Sequence, residues 1–437
     1  MTRQTTMINA YTPGKGNLSP EDAARVTRRS ALLGPAYRLF YETPVHLVRG
    51  QGVWLYDPDG NAYLDTYNNV ASVGHCHPRV VAAMAQQAGL LATHTRYLHD
   101  TVLDYAERLL AHFPAPLTHV MFTCTGSEAN DLALRIARAK TGGTGVIVTG
   151  NAYHGVTLAT AEMSMSIGPA VAPGPSVFAV PAPSAANYPG DIGAGFAAAV
   201  TAACAAMAAQ GIKPAALIVD TIFSSDAVLP DPAGFLRPAA AAIRAAGGLF
   251  IADEVQPGFG RTGSHMWGFQ RHGLIPDMVS LGKPMGNGYP MAGLVVQPDI
   301  LASFGANSRY FNTFGGNAVA AAVGMAVLEV IRDEGLQDNA AHVGQAFHRG
   351  LQDLASRNGC LGGLRSAGLF LGLDIVTDGT PDPALAGRIV NGLRDARVLI
   401  SATGPQGHIL KIRPPLVFST DHVAIFLDRL DRVLQGL

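Results

Sequence analysis

The chain has 437 residues, 48% hydrophobic and only 14% charged, with a formal net charge of −1 at pH 7. That is ample apolar material for a large buried core and unlike a disordered chain. With no basic stripe, nucleic acid is excluded as an expected partner. Four cysteines, Cys76, Cys124, Cys204 and Cys360, stand apart without metal-ligand spacing, which suits a reducing cytoplasm. Cys124 reads as packing. Met1 to Ser30 is polar and carries charges of both signs. It lacks the apolar core of a signal peptide, so a cytoplasmic protein is expected.

Taken in chain order, Val45 to Leu64 reads as strands around the turn Asp57-Pro-Asp-Gly60. From about 110 to 300, short apolar runs at 120–123, 146–149, 216–220, 249–252, 278–281 and 292–296 alternate with helical patterns. This alternation predicts an α/β fold with a mostly parallel sheet between helices. The stretch Ile192 to Ile212 carries no charge but is mostly alanine and glycine. It is expected to pack on the sheet rather than cross a membrane. Residues 320–357 read as helical, then Phe370–Ile375, Val398–Ile400 and Ile409–Ile412 as strands, and 420–436 as an amphipathic helix. The reading places a large domain at 71–334 and a smaller α+β domain built from 1–70 and 335–437.

The chain has only five lysines, Lys15, Lys140, Lys213, Lys283 and Lys411, against 26 arginines. Lys283 follows the apolar run Met278 to Leu281 and opens the glycine-rich Met285-Gly-Asn-Gly-Tyr289. A solvated loop lysine fits there. So does an imine-forming amine, a role arginine cannot take because its proton stays on. Asp253 ends the run Leu249 to Ala252 and precedes Gln256. In open α/β sheets ligands bind beyond the carboxyl ends of strands. A carboxylate there suits either a cap or a protonated pyridine nitrogen. Val120 to Thr123 meets Thr125-Gly126-Ser127 and then a helix whose Ala129, Leu132, Ala133, Ile136 and Ala137 share a face. Ser127 is expected to cap that helix, whose free N–H groups form an anion site. Gly126 permits close approach of a phosphate. Tyr153, after Val146 to Thr149, can stack on a flat ring or pack in the core.

Thr125-Gly-Ser-Glu-Ala-Asn130, Asp253-Glu-Val-Gln256 and Leu281-Gly-Lys283 together resemble the class III aminotransferases, from about residue 40 to the C-terminus. These are pyridoxal 5′-phosphate (PLP) enzymes of fold type I, with a seven-stranded sheet in the large domain. The resemblance implies that Lys283 holds PLP as an imine and moves protons, and that Asp253 pairs with the pyridinium nitrogen. It implies that Gln256 contacts the ring hydroxyl, Gly126 and Ser127 bind the cofactor phosphate, and Tyr153 covers the ring. Thr313, in Phe311-Asn-Thr-Phe-Gly-Gly316, matches a threonine that completes the neighbouring subunit's site, which implies a homodimer.

Where many members carry arginine, this chain reads Lys411-Ile-Arg-Pro-Pro-Leu416, and it has Asp220-Thr221 where Glu-Pro is commoner. Positions 411 and 413 share a strand face. Two cations there suit a dianionic group. The alternative is that only one faces the pocket. Tyr67 to Pro78 and Thr95 to Asp100 resemble the subgroup containing ethanolamine-phosphate phospho-lyase. That implies β-elimination of phosphate from O-phosphoethanolamine or a relative, with Lys411, Arg413 and Arg96 as substrate-binding residues. An ω-aminotransferase using pyruvate or 2-oxoglutarate remains the alternative. His75 and His77 read as structural punctuation, and no metal is expected.

Overall fold

Strand order in the computed structural model, which describes residues 7–437, follows from where the apolar runs lie. Met1 to Thr6 of the polar N-terminal segment lie outside the described residues. Seven strands form the main sheet in the order His119–Thr123, Ala292–Val296, Met278–Leu281, Leu249–Asp253, Pro214–Asp220, Gly145–Thr149 and Val177–Val180. Pairing from Met278–Leu281 to Val177–Val180 is parallel, while Ala292–Val296 runs antiparallel to both of its neighbours. The mostly parallel sheet is therefore present. Val177–Val180 is its extra edge strand, beyond the six runs read from the sequence.

Both faces of this sheet are covered, as parallel sheets require. Side chains alternate across it with a period of two. Val146, Val148, Ile218, Ile251, Met278 and Leu294 pack under the helix Gly126–Thr141, against its Leu132 and Ile136. Ile147, Leu217, Val219, Phe250, Val279 and Val295 enter the larger core on the other face. The helix Ile192–Ala209 lies on that second side. By length and composition it could cross a membrane, but it buries Phe196, Val200 and Met207 in the core. It packs against the helix Leu236–Ala245 and the strand Val177–Val180.

The chain ends meet in smaller sheets. Arg49–Gln51, Trp54–Tyr56 and Ala62–Asp65 form a meander whose last strand pairs in parallel with Val398–Leu399. Leu361–Ala367, Phe370–Thr377, Ile409–Ile412 and Ser401–Thr403 form a second antiparallel sheet. The predicted turn at Asp57 closes with Gly60 at φ 82°, and Asp57 Oδ1 accepts from Asp59 N and Asn61 N. The helical stretch read over 320–357 breaks in two, Ala318–Asp333 and Leu336–Arg357, at Gly335. Gly335 has φ 60°, a left-handed conformation that ends a helix. The terminal helix Thr420–Gln435 starts at a Ser419 cap and buries Val423, Phe426 and Leu430.

Candidate active site

The carboxyl ends of neighbouring strands bring the chemistry together. Asp253 ends its strand, in register with Asp220 on the adjacent one. Lys283 stands two residues beyond Leu281, in a short 3-10 turn from Lys283 to Gly286. Asp253, Lys283, Gly126, Ser127, Tyr153 and Gln256 line one cleft of about 280 Å³. Small residues allow this convergence. A Cβ on Gly126 would meet Val255 at 2.9 Å, and one on Gly282 would meet Val255 at 3.2 Å and the Gly126 backbone at 3.4 Å. The lysine turn and the helix start therefore pack backbone to backbone.

Asp253 is 4% exposed and firmly oriented. Its Oδ2 accepts from His154 Nδ1 at 2.7 Å and from Asn130 Nδ2 at 2.9 Å, and its Oδ1 accepts from Val255 N at 3.0 Å. Asn130 also donates to the His154 carbonyl at 2.8 Å, so the three side chains form one unit. Sequence reasoning missed His154 and Asn130. The available signal was positional: Asn130 is a polar residue on the inward face between Ala129 and Ala133, and His154 is adjacent to Tyr153.

The Lys283 amine is pushed down to about 8 by burial, with repulsion from Arg413 adding to it. Asp253 and Asp220 pull the other way but do not restore it. Its Nζ lies 5.8 Å from the centroid of the Tyr153 ring. The helix Gly126–Thr141 is capped by Thr125, not by the expected Ser127. Thr125 Oγ1 accepts from Glu128 N at 3.1 Å, and Glu128 Oε2 accepts from Thr125 N at 3.1 Å, completing a capping box. Thr125 wins because Glu128 stands three residues after it, the spacing the box needs. Ser127 Oγ instead accepts from Val156 N at 3.1 Å. The N–H groups of Gly126 and Ser127 are first-turn donors with no partner inside the helix, a ready anion site. Cys124, read as packing, lines the cleft instead, with Sγ 3.8 Å from Asn312 Oδ1.

A second cavity of about 710 Å³ opens beside the first, sharing Tyr153, Gln256 and Lys283 and adding Tyr67, Lys411 and Arg413. Lys411 and Arg413 are 6% and 7% exposed, so both expected cations face one pocket. The Lys411 amine lies well below its usual value because it is buried and beside Arg413, while Asp220 and Asp226 oppose the shift. Arg413 Nη1 donates to Gln256 Oε1 and, at 3.3 Å, to Asn69 Oδ1. Burial in turn raises the Asp220 carboxyl, which accepts from Ser224 Oγ and Ile222 N.

The remaining expected residues lie elsewhere. Arg96 is exposed, with its guanidinium 3.8 Å from the centroid of Phe311, and it lines neither cavity. It sits in the loop before the helix Asp100–Leu110. Thr313 is also exposed, in the loop before the Asn317 cap. His75 and His77 diverge: His75 Nε2 lies 2.7 Å from Asp65 Oδ2, and His77 Nε2 lies 3.0 Å from Glu334 Oε1.

The class III aminotransferase family model matches residues 40–434. The chain belongs to that family. An alanine–glyoxylate aminotransferase 2-like protein of Drosophila melanogaster is 40% identical over 416 residues, covering 91% of this chain and 84% of that protein. An ethanolamine-phosphate phospho-lyase homolog of Caenorhabditis elegans is 36% identical, covering 93% of this chain and 92% of that protein. Among solved structures, an Arthrobacter phospholyase in complex with phosphoethanolamine matches with TM-score 0.91 and 43% identity, over 94% of this chain and all of that one.

Class III aminotransferases and these structural neighbours use PLP, and the cleft fits it. The site offers an oriented carboxylate, a lysine with a weakened hold on its proton, an aromatic wall and unpaired helix N–H donors. Those match the pyridinium nitrogen, the aldehyde, the ring face and the phosphate of PLP in turn. Asp253 already accepts three hydrogen bonds and has lone-pair capacity for a fourth.

Proposed function

We propose that this class III family member is a phospho-lyase that eliminates phosphate from O-phosphoethanolamine or a close relative, giving an aldehyde, ammonia and inorganic phosphate. The observation that carries the reading is the buried amine of Lys411. It faces the same cavity as Lys283, and no carboxylate among the described residues lies within ion-pair distance, though Asp220 and Asp226 act on it from farther off. A buried amine with no ion-pair partner is costly to hold protonated, even with Asp220 and Asp226 acting on it from beyond that distance. An incoming dianionic phosphate supplies the missing charge and raises the amine's hold on its proton. Likeness to the Arthrobacter phospholyase supports the same reading.

Bound PLP supplies an electron sink for the carbon attached to the substrate nitrogen. This chain's residues do the rest. Asp253, held by His154 and Asn130, keeps the pyridine nitrogen protonated. With PLP held in the cleft, Lys283 would take the proton from the carbon bearing the substrate nitrogen. As that C–H bond breaks, the C–O bond to phosphate on the next carbon breaks too, and Lys411 stabilises the departing oxygen charge. The enamine set free would gain a proton on its terminal carbon and then add water, giving the aldehyde and ammonia, so no oxidant or reductant is consumed. The protein acts in the cytoplasm as a homodimer in which Thr313 of each subunit reaches the other's cofactor phosphate.

A specific observation favours a second reading, an ω-aminotransferase: the Drosophila melanogaster relative carries an aminotransferase name. On that reading Lys411 binds an oxo-acid carboxylate in the second half-reaction. Release of inorganic phosphate from O-phosphoethanolamine without any oxo acid separates the two.

A further inference from the structure

The two cations of the substrate cavity are not equivalent. Lys411 Nζ has no hydrogen bond or ion pair among the described residues; the Phe370 ring centroid lies 5.7 Å away, and Arg413, Asp220, Lys283 and Asp226 act on the amine through space. Arg413 commits its Nη1 to its neighbours, while its buried Nε has no hydrogen-bond partner among the described residues. Its Nη1 group donates both to Gln256 Oε1 and to Asn69 Oδ1, and its guanidinium lies 4.4 Å from the centroid of Tyr67. Asn69 Nδ2 then donates to the Gln256 backbone carbonyl at 3.2 Å, closing a ring of contacts around Gln256. The Arg413 backbone is fixed as well. Its N–H donates to the Thr66 carbonyl at 2.9 Å, and the Pro414 carbonyl accepts from buried Arg261.

This arrangement decides which way the Gln256 amide faces. A guanidinium carries only donors, so the amide atom that meets it has to be the oxygen. Gln256 Nε2 makes no hydrogen bond with a described residue, and Gln256 lines both the Lys411 cavity and the Asp253 cleft. We infer that Arg413 is a positioning residue that locks the Gln256 amide so that an N–H donor is presented to the cofactor's ring oxygen. Lys411, whose amine has no hydrogen-bond or ion-pair partner among the described residues, is then the principal cation for the substrate's anionic group. Only this last assignment, to Lys411, rests on the phospho-lyase reading.

A donor at the ring oxygen favours its ionised form, which gives the lysine-bound cofactor its yellow colour. Without Arg413 the amide is free to turn its oxygen inward, and the ring oxygen then keeps its proton. The test uses PLP-loaded full-length protein and two readouts, the ratio of yellow to colourless cofactor absorbance and the affinity for inorganic phosphate. Arg413→Met is expected to lower the yellow-to-colourless ratio about fivefold, the worth of one lost hydrogen bond. Gln256→Glu keeps an acceptor toward Arg413 but removes the donor, and is expected to lower the ratio similarly. The double variant should fall no further than either single one, because both remove one coupled interaction.

Lys411→Met is expected to leave the ratio alone and weaken inorganic phosphate at least tenfold. The inference is overturned if Arg413→Met leaves the ratio unchanged while weakening phosphate as much as Lys411→Met does. It is also overturned if the shifts of Arg413→Met and Gln256→Glu simply add. Loss of PLP binding in Arg413→Met would leave Gln256→Glu to decide alone: a normal ratio there overturns the inference, a lowered one upholds it. If Lys411→Met binds phosphate normally, the phospho-lyase reading fails while the Arg413 result stands on its own absorbance.

Discussion

Lys283 illustrates how a residue's surroundings prepare its chemistry. Imine formation needs a neutral amine, and an ordinary lysine offers almost none near pH 7. With its amine pushed down to about 8, Lys283 is neutral far more often. Capture of PLP by the cofactor-free protein should therefore quicken by roughly tenfold per pH unit below 8 and level off above it. The sign follows from the charge: the protonated form is the one that burial and Arg413 disfavour. Stopped-flow absorbance across pH 6 to about 10 checks this, and a rate that keeps climbing to pH 10 would contradict it. Lys283→Ala should abolish both the yellow colour and turnover. Lys411→Met should raise KM for a phosphorylated amine about tenfold or more, the loss of one charge-assisted contact, with little effect on phosphate-free amines. Equal loss on both substrate types would count against its anion-binding role.

At the scale of elements, legibility tracked burial. The runs 216–220, 249–252 and 278–281 stood out because both faces of their strands are covered and the apolar signal is continuous. Val177–Val180 escaped notice as a short, half-exposed edge strand. The helix Pro20–Leu33 was not legible because it is polar on average and buries none of its residues. The antiparallel direction of Ala292–Val296 follows from its connection: residues 282–291 are too few for the crossover helix a parallel partner needs. Of the site, the strand-end residues were legible because each sits in a local motif. The Arg413–Gln256 bond was not, since it joins residues 157 apart in sequence. The capping box at Thr125 ties element to function. Thr125→Ala should cost about 1 kcal/mol of stability and weaken PLP retention, because the N–H donors at Gly126 and Ser127 lose their fixed direction. Denaturant titration and equilibrium dialysis check the two effects separately.

The whole molecule places the two small sheets against the carboxyl edge of the large one, so that Lys411 from near the C-terminus and Tyr67 from near the N-terminus wall a cavity floored by Lys283. The proposed homodimer extends this division of labour across subunits. Thr313→Ala and Lys283→Ala proteins should each be impaired, yet mixed dimers should recover activity. In such a dimer one site has both an intact Lys283 and the partner's intact threonine. Failure of mixed dimers to recover would remove Thr313 from the neighbour's site. The two candidate reactions part at one measurement: release of inorganic phosphate from O-phosphoethanolamine by the PLP-loaded protein with no oxo acid present. A phospho-lyase should give sustained release over many turnovers, with an aldehyde and ammonia formed in equal amounts. Contradiction would be no phosphate release, together with conversion of the cofactor to its amine form by alanine, which would make the enzyme an aminotransferase and Lys411 a carboxylate-binding residue.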